Sequence, residues 1–126
     1  MIITLPGNVP SLKNDKKIIY LRRNGKDTPS IVSSDRVQIW MESAIIALRQ
    51  AFRGCKIVGY PVSCTMTFYF DNDRRHDLDN AAAGVLDAMT AAEVIEDDNV
   101  KYINRLTLVY GGVDKKNPRV DIEFED

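Results

Sequence analysis

The sequence predicts an α+β fold, with two main helices on one face of a mixed, largely antiparallel sheet and elements in the order β-β-β-α-β-α-β-β. Three observations carry this. "KIIYLRRNGKDTPSIV" places Asn24-Gly25 between two β-rich runs, "SSDRVQIWMESAIIALRQAF" repeats apolar residues at helical spacing, and "YPVSCTMTFYF" alternates apolar with polar residues.

The elements follow in order. "MIITLP" begins as a short strand. Asn-Gly accepts the positive φ angles of a tight hairpin, so the next two strands pair around it. In the following segment Val37, Trp40, Met41, Ala44, Ile45, Leu48 and Phe52 recur at three and four. Asp35 with Gln38 forms a capping box there, and Gly54 closes the helix. Val62, Cys64, Met66, Phe68 and Phe70 then face one way along a half-buried strand, and Ser63, Thr65, Thr67 and Tyr69 the other. "NAAAGVLDAMTAA" is a second helix, apolar nearly all round and so buried in the fold or against a partner. "KYINRLTLVYGG" and "RVDIEFED" are two closing strands around the turn-rich "GGVDKKNP".

A chain of 126 residues makes one domain, 1–126. No apolar run approaches the roughly 20 residues of a membrane span, and the N-terminus lacks the features of a secretory signal, so a cytoplasmic location is expected. Cys55 and Cys64 form neither a C-x-x-C pair nor a zinc spacing, which suits free thiols in a reducing compartment. Charge is divided unevenly. Residues 1–63 carry ten Lys and Arg against four Asp and Glu, a surplus of six; residues 64–126 carry seven against fourteen, a deficit of seven. Such asymmetry hints at polyanion contact. The densest basic stretch, "SLKNDKKIIYLRRNGK", holds Lys13, Lys16, Lys17, Arg22, Arg23 and Lys26 with only Asp15 among them; a solvated hairpin explains it equally.

The chemistry concentrates at "RRHDLDN", residues 74–80, where a core strand hands over to the second helix. If Asp77 to Asp79 is extended, the two carboxylates project together and Leu78 goes inward. Two adjacent carboxylates raise each other's pKa unless a cation lies between them. The alternative is that one of them caps the second helix, although capping needs a single acid. Asp87 falls near the same helical face as Asp79 and Ala83; buried, it would need a cation, a basic side chain or a hydrogen-bond network. "EVIEDDNV" crowds Glu96, Asp97 and Asp98 into a turn. That turn is a solvated acidic loop or, if the chain returns after the helix, a second acidic group approaching the first.

Hard cations such as Mg2+ favour carboxylate oxygens and serve phosphate chemistry without His or Cys. An EF-hand starting at Asp71 would need glycine where His76 stands and glutamate where Ala82 stands. Zinc lacks its ligands, and neither a phosphate-cradling glycine loop nor a nucleophile elbow is present.

"RRHDLDNAAAGVLDAMTAAEVIEDDNV" resembles the signature of the RusA-type Holliday junction resolvases: a basic approach, D-x-D-N, a helix with an internal L-D-A, then D-D-x-V. The upstream "PGNVPSLKN" resembles the Pro- and Asn-containing opening common in that family, so the likeness spans most of the chain. It implies a small homodimeric, Mg2+-dependent endonuclease, with Mn2+ as a substitute, that cuts four-way DNA in paired strands during recombination and repair. The resemblance assigns catalysis to Asp77, Asp79 and Asp98, with Asp97 as a neighbouring metal ligand and substitute. DNA contact falls to Lys13, Lys16, Lys17, Arg22, Arg74, Arg75 and Lys101. His76, Asn80 and Asp87 are supporting neighbours, His76 as a general acid or base or as a local hydrogen-bond donor. No membrane or organic cofactor is implied. One departure is Ala83, where family members often carry lysine one turn after the second Asp; Lys101 and Arg105 are candidates to supply that charge. Two alternatives follow, a junction-binding module with weakened catalysis and a metal-dependent nuclease for other branched or single-stranded DNA.

Overall fold

A computed structural model of the chain describes residues 2–11 and 16–125. Its elements are β1 (Ile2–Pro6), β2 (Lys16–Arg23), β3 (Lys26–Ser33), α1 (Asp35–Phe52), β4 (Val62–Phe70), α2 (Leu78–Ala91), β5 (Ile103–Val113) and β6 (Arg119–Glu125). The order matches the one the sequence predicts. Four strands form a mixed sheet in the order β1-β6-β4-β5, while β2 and β3 pair only with each other. β1 with β6, β6 with β4 and β2 with β3 are antiparallel. β4 and β5 are parallel, with α2 as the crossover between them.

β4 is the spine. Cys64, Met66 and Phe68 are fully buried and Phe70 nearly so, while the alternate residues stay half-buried on the opposite face. β5 and β6 cover the two edges of β4, so the backbone groups of its central residues are paired on both sides. Val37, Trp40, Ala44 and Leu48 of α1 and Ala81, Ala82, Gly84, Val85, Ala88 and Met89 of α2 are buried, the helices joining the strands in one hydrophobic cluster.

Local chemistry accounts for the element ends. Asn24 and Gly25 both take positive φ, 52° and 76°, as a two-residue hairpin turn of the primed kind requires. The α1 cap is Ser34, one residue before the expected Asp35: its hydroxyl accepts from the Val37 N–H, and the Gln38 amide reaches back to the Ser33 carbonyl. Arg53 closes α1 in the left-handed conformation, with Gly54 beyond it.

α2 departs from the expected all-round burial. Asp79, Ala83, Asp87 and Ala91, spaced by four, form one exposed line along the helix. Ala81, Ala82 and Ala88 pack inward on the chain's own core. Among the described residues no helix is long and apolar enough to cross a membrane.

Burial pushes the Cys64 thiol up to about 12, whereas Cys55 is exposed. At pH 8 the buried Cys64 stays in the unreactive thiol form. A disulfide-exchange reagent is therefore expected to titrate one equivalent of thiol in the native protein and two in denaturant; two fast equivalents in the native state would contradict the packing of β4.

Candidate metal and nucleic-acid site

The turn from β4 into α2 is built around Phe70. The His76 ring lies parallel to the Phe70 ring with centroids 3.8 Å apart. Asn72 Oδ1 accepts the Arg74 N–H at 3.0 Å and meets His76 Nε2 at the same distance. Because that oxygen already acts as an acceptor, Nε2 is the ring nitrogen that carries a proton. The Asp71 N–H donates to Asn8 Oδ1 at 3.1 Å, tying the turn to the loop after β1. His76 is thus an anchoring donor in this arrangement.

Asp77 emerges next. Its backbone is extended (φ −100°, ψ 116°) and it occupies the N-cap of α2, yet its side chain makes no capping hydrogen bond. The carboxylate is exposed instead of being used to close the helix. Asp79 lies in the first helical turn, where the helix dipole favours negative charge. Extension therefore stops at Asp77, and the common direction expected of an extended Asp77–Asp79 pair is replaced by two exposed carboxylates flanking a helix start. Leu78 packs against the core, as the sequence predicts. Arg75, His76, Asp77 and Asn80 share the wall of a small cavity of ≈ 80 Å³.

The second acidic group lies farther along α2. Asp79 and Asp87 are separated by about 12 Å of helix axis, and Asp87 is the helix carboxylate whose charge acts on Asp98. Asp98 is pushed above the usual carboxyl range, first by partial burial, then by its contact with Asp97 and by the charges of Asp97 and Asp87. Asp97 is held below that range by the Asp98 N–H at 2.8 Å, then by the Asn99 amide at 3.0 Å. Glu96 turns away to pair with Lys56 at 3.0 Å. Among the described residues, no three His, Cys, Asp or Glu side chains converge closely enough to hold a metal ion. Asp77 and Asp79 thus sit at one end of the α2 edge, and Asp87, Asp97 and Asp98 along it.

The basic residues are similarly distributed. Arg74 and Arg75 are exposed beside Asp77. Lys16 shares a groove with Asp87, which is exposed rather than buried. Lys17 pairs with Asp35, and Arg22 with Asp27 across the hairpin at 3.8 Å. Lys101 is exposed in the turn before β5. Lys13 lies outside the described residues. Arg105 stands opposite Ser63, at the start of β4, seven residues and about 23 Å from Phe70. It therefore lies at the other end of β4 from the turn that carries Asp77.

Several polar residues facing this site had no role in the sequence reading. Asn8, Ser11, Arg36 and Asn72 line a second cavity together with Arg74 and Arg75. Arg36 alone offered a signal: a cation in the first turn of a helix opposes the dipole.

The family model described as Endodeoxyribonuclease RusA matches residues 13–125. The chain belongs to the RusA endodeoxyribonuclease family. A curated relative, crossover junction endodeoxyribonuclease RusA of Aquifex aeolicus (strain VF5), is 33% identical over 81 residues, 64% of this chain and 61% of the relative. The chain thus matches about three-fifths of that relative's length. Within this family member, the Asp77 carboxylate is left free of its cap and the Asp98 carboxyl is crowded by two acids, oxygen donors of the kind a hard cation prefers, although they do not converge with a third ligand in this arrangement.

The acidic crowding has a stability consequence. A carboxyl raised on folding contributes stability below its unfolded pKa and loses it as pH rises through its folded value. Asp97, lowered, behaves oppositely, its contribution vanishing as pH falls through its folded value. Asp98→Asn is accordingly expected to raise the metal-free melting temperature at pH 7–8, on the order of 1–3 °C, with the gain shrinking at pH 3. A lower melting temperature at neutral pH would refute this account of the turn.

Proposed function

We propose that this family member is a structure-specific endodeoxyribonuclease that resolves four-way DNA junctions by paired phosphodiester hydrolysis. It acts as a single-domain cytoplasmic homodimer that needs Mg2+, with Mn2+ as a substitute. The observation that carries the reading is the Asp77 carboxylate, placed at a helix start but not used to cap it, beside the exposed Asp79. In this reading Asp77, Asp79 and Asp98 hold the metal, with Asp97 beside them. A divalent ion held there would make a water more acidic for attack on phosphorus and would offset charge on the departing oxygen. The chain's own residues do the rest. Arg74 and Arg75 meet the phosphates next to the cut, and Lys13, Lys16, Lys17, Arg22 and Lys101 hold more distant ones. His76 keeps the turn in place from its seat on Phe70, and Asn80 borders the same cavity. Asp87 keeps the α2 edge acidic where Asp98 approaches.

Asp98 must meet the same phosphate as Asp77 and Asp79 once DNA lies along the α2 edge. A junction is approximately twofold symmetric, so two matched cuts call for two sites related by one axis, which supports the homodimer. A second reading, a junction-binding module with weakened catalysis, is favoured by Ala83. That residue is exposed on the α2 edge, where related proteins often place a lysine.

Cleavage of a synthetic four-way junction in Mg2+ separates these readings. Wild type is expected to give paired cuts. Asp77→Asn, Asp79→Asn and Asp98→Asn are expected to lose product while binding the junction as tightly or more tightly, because negative charge is removed. Tight binding by wild type with no product in Mg2+ or Mn2+ would leave the binding module. Preferred cleavage of forked or linear DNA would point to another nuclease, and full activity of Asp98→Asn would remove that residue from the ligand set.

A further inference from the structure

Three cavities share walls in a row starting at Asp77. The first, ≈ 80 Å³, includes Asp77, Asn80, Arg75 and His76. The second, ≈ 240 Å³, keeps Val9, Ser11, Arg75 and His76 and adds Asn8, Asn72, Arg36 and Arg74. The third, ≈ 540 Å³, keeps Asn8 and Arg36 and reaches Trp40, Ser43 and Asp71.

Among the described residues, the middle cavity carries three guanidinium groups and no carboxylate on its wall. That composition selects a polyanion with oxygen acceptors, and three arginines suit phosphate through forked donors. Arg36 stands in the first turn of α1, where its charge opposes the dipole but where a phosphate would meet both a guanidinium and the positive helix end. Arg36 already has a partner within the chain, which a phosphate would share or displace.

The far end supplies an independent sign of a ligand. Trp40 is only 6% exposed, yet its indole N–H has no acceptor among the described residues. The same edge of the indole faces Gly7, whose missing Cβ would lie 3.6 Å from Trp40 Cδ1, and Gly7 and Trp40 both line the third cavity. A buried donor without a partner is uncommon in native proteins, and a strand or a water entering the third cavity would satisfy it.

We propose that this run of cavities is a track for one polynucleotide strand leading away from the cut, in which Arg36 holds the backbone phosphate next to the scissile one and the strand continues toward Trp40. The position of the cut rests on the function proposed above, but the track can be tested without cleavage. Binding of a four-way junction and of a short single strand is measured in EDTA across a salt series, for wild type, Arg36→Ala, Arg36→Lys and Arg49→Ala. Arg49 serves as a control because it lies at the other end of α1, about 20 Å away.

Arg36→Ala is expected to weaken binding of both DNAs roughly tenfold and to lower the salt slope by about one. Arg36→Lys should keep the slope, and Arg49→Ala should match wild type. Trp40 is the only tryptophan, so its emission should change when the single strand binds. The track is overturned if Arg36→Ala keeps the affinity and slope of wild type, if Arg49→Ala loses as much, or if Trp40 emission stays constant on a bound strand. Wild type that binds the single strand through Arg36 but shows no preference for the junction would uphold the track and sink the junction reading.

Discussion

The parallel stack of His76 on Phe70 is the contact on which the candidate site depends. Phe70 is the last residue of the buried spine, paired with Val113 of β5 on one side, while the β6 ladder ends one residue earlier at Tyr69. A ring laid against it at 3.8 Å transmits that rigidity to a segment that would otherwise be a free loop. The Asn72 oxygen, shared between Arg74 and His76, closes the turn in the same sense. Asp77 leaves this anchored segment with its carboxylate unengaged by the helix it begins.

Electrostatics gives the anchored turn its direction. Arg36, Arg74 and Arg75 gather on one side of Asp77, with Asp71 and Asp73 near them, and most of the remaining acids run along the α2 edge on the other, so opposite charges are partly sorted. Such sorting lowers stability slightly through like-charge repulsion, visible in the raised Asp98 carboxyl. It suits a polyanion bound on the basic side with a cation recruited on the acidic side. The β2–β3 hairpin brings Lys16 to the same region while standing apart from the main sheet, and it leaves Ile18, Tyr20 and Ile31 exposed.

Elements specified by local chemistry were legible before any coordinates. The Asn24-Gly25 hairpin, the α1 stripe and the alternation of β4 each repeat one rule over many residues, and the structure follows them. The shift of the α1 cap from Asp35 to Ser34 is a one-residue ambiguity among neighbouring good caps. The missed features were pairings between distant segments. Parallel contact of β4 with β5 and antiparallel contact with β6 depend on which edges remain open after collapse, information that no short window holds.

By itself the sequence determined the element order, the buried face of the spine and the D-x-D-N and D-D groups that mark a family of DNA nucleases, because periodicity and motif spacing are properties of the chain. Only the tertiary structure decided that Asp87 is exposed beside Lys16, that Arg105 is remote from Asp79, and that Arg36 joins Arg74 and Arg75 in one cavity. Those placements follow from packing α1 and α2 together over the sheet. Side chains tens of residues apart become neighbours there through burial of apolar surface, a force with no sequence direction of its own.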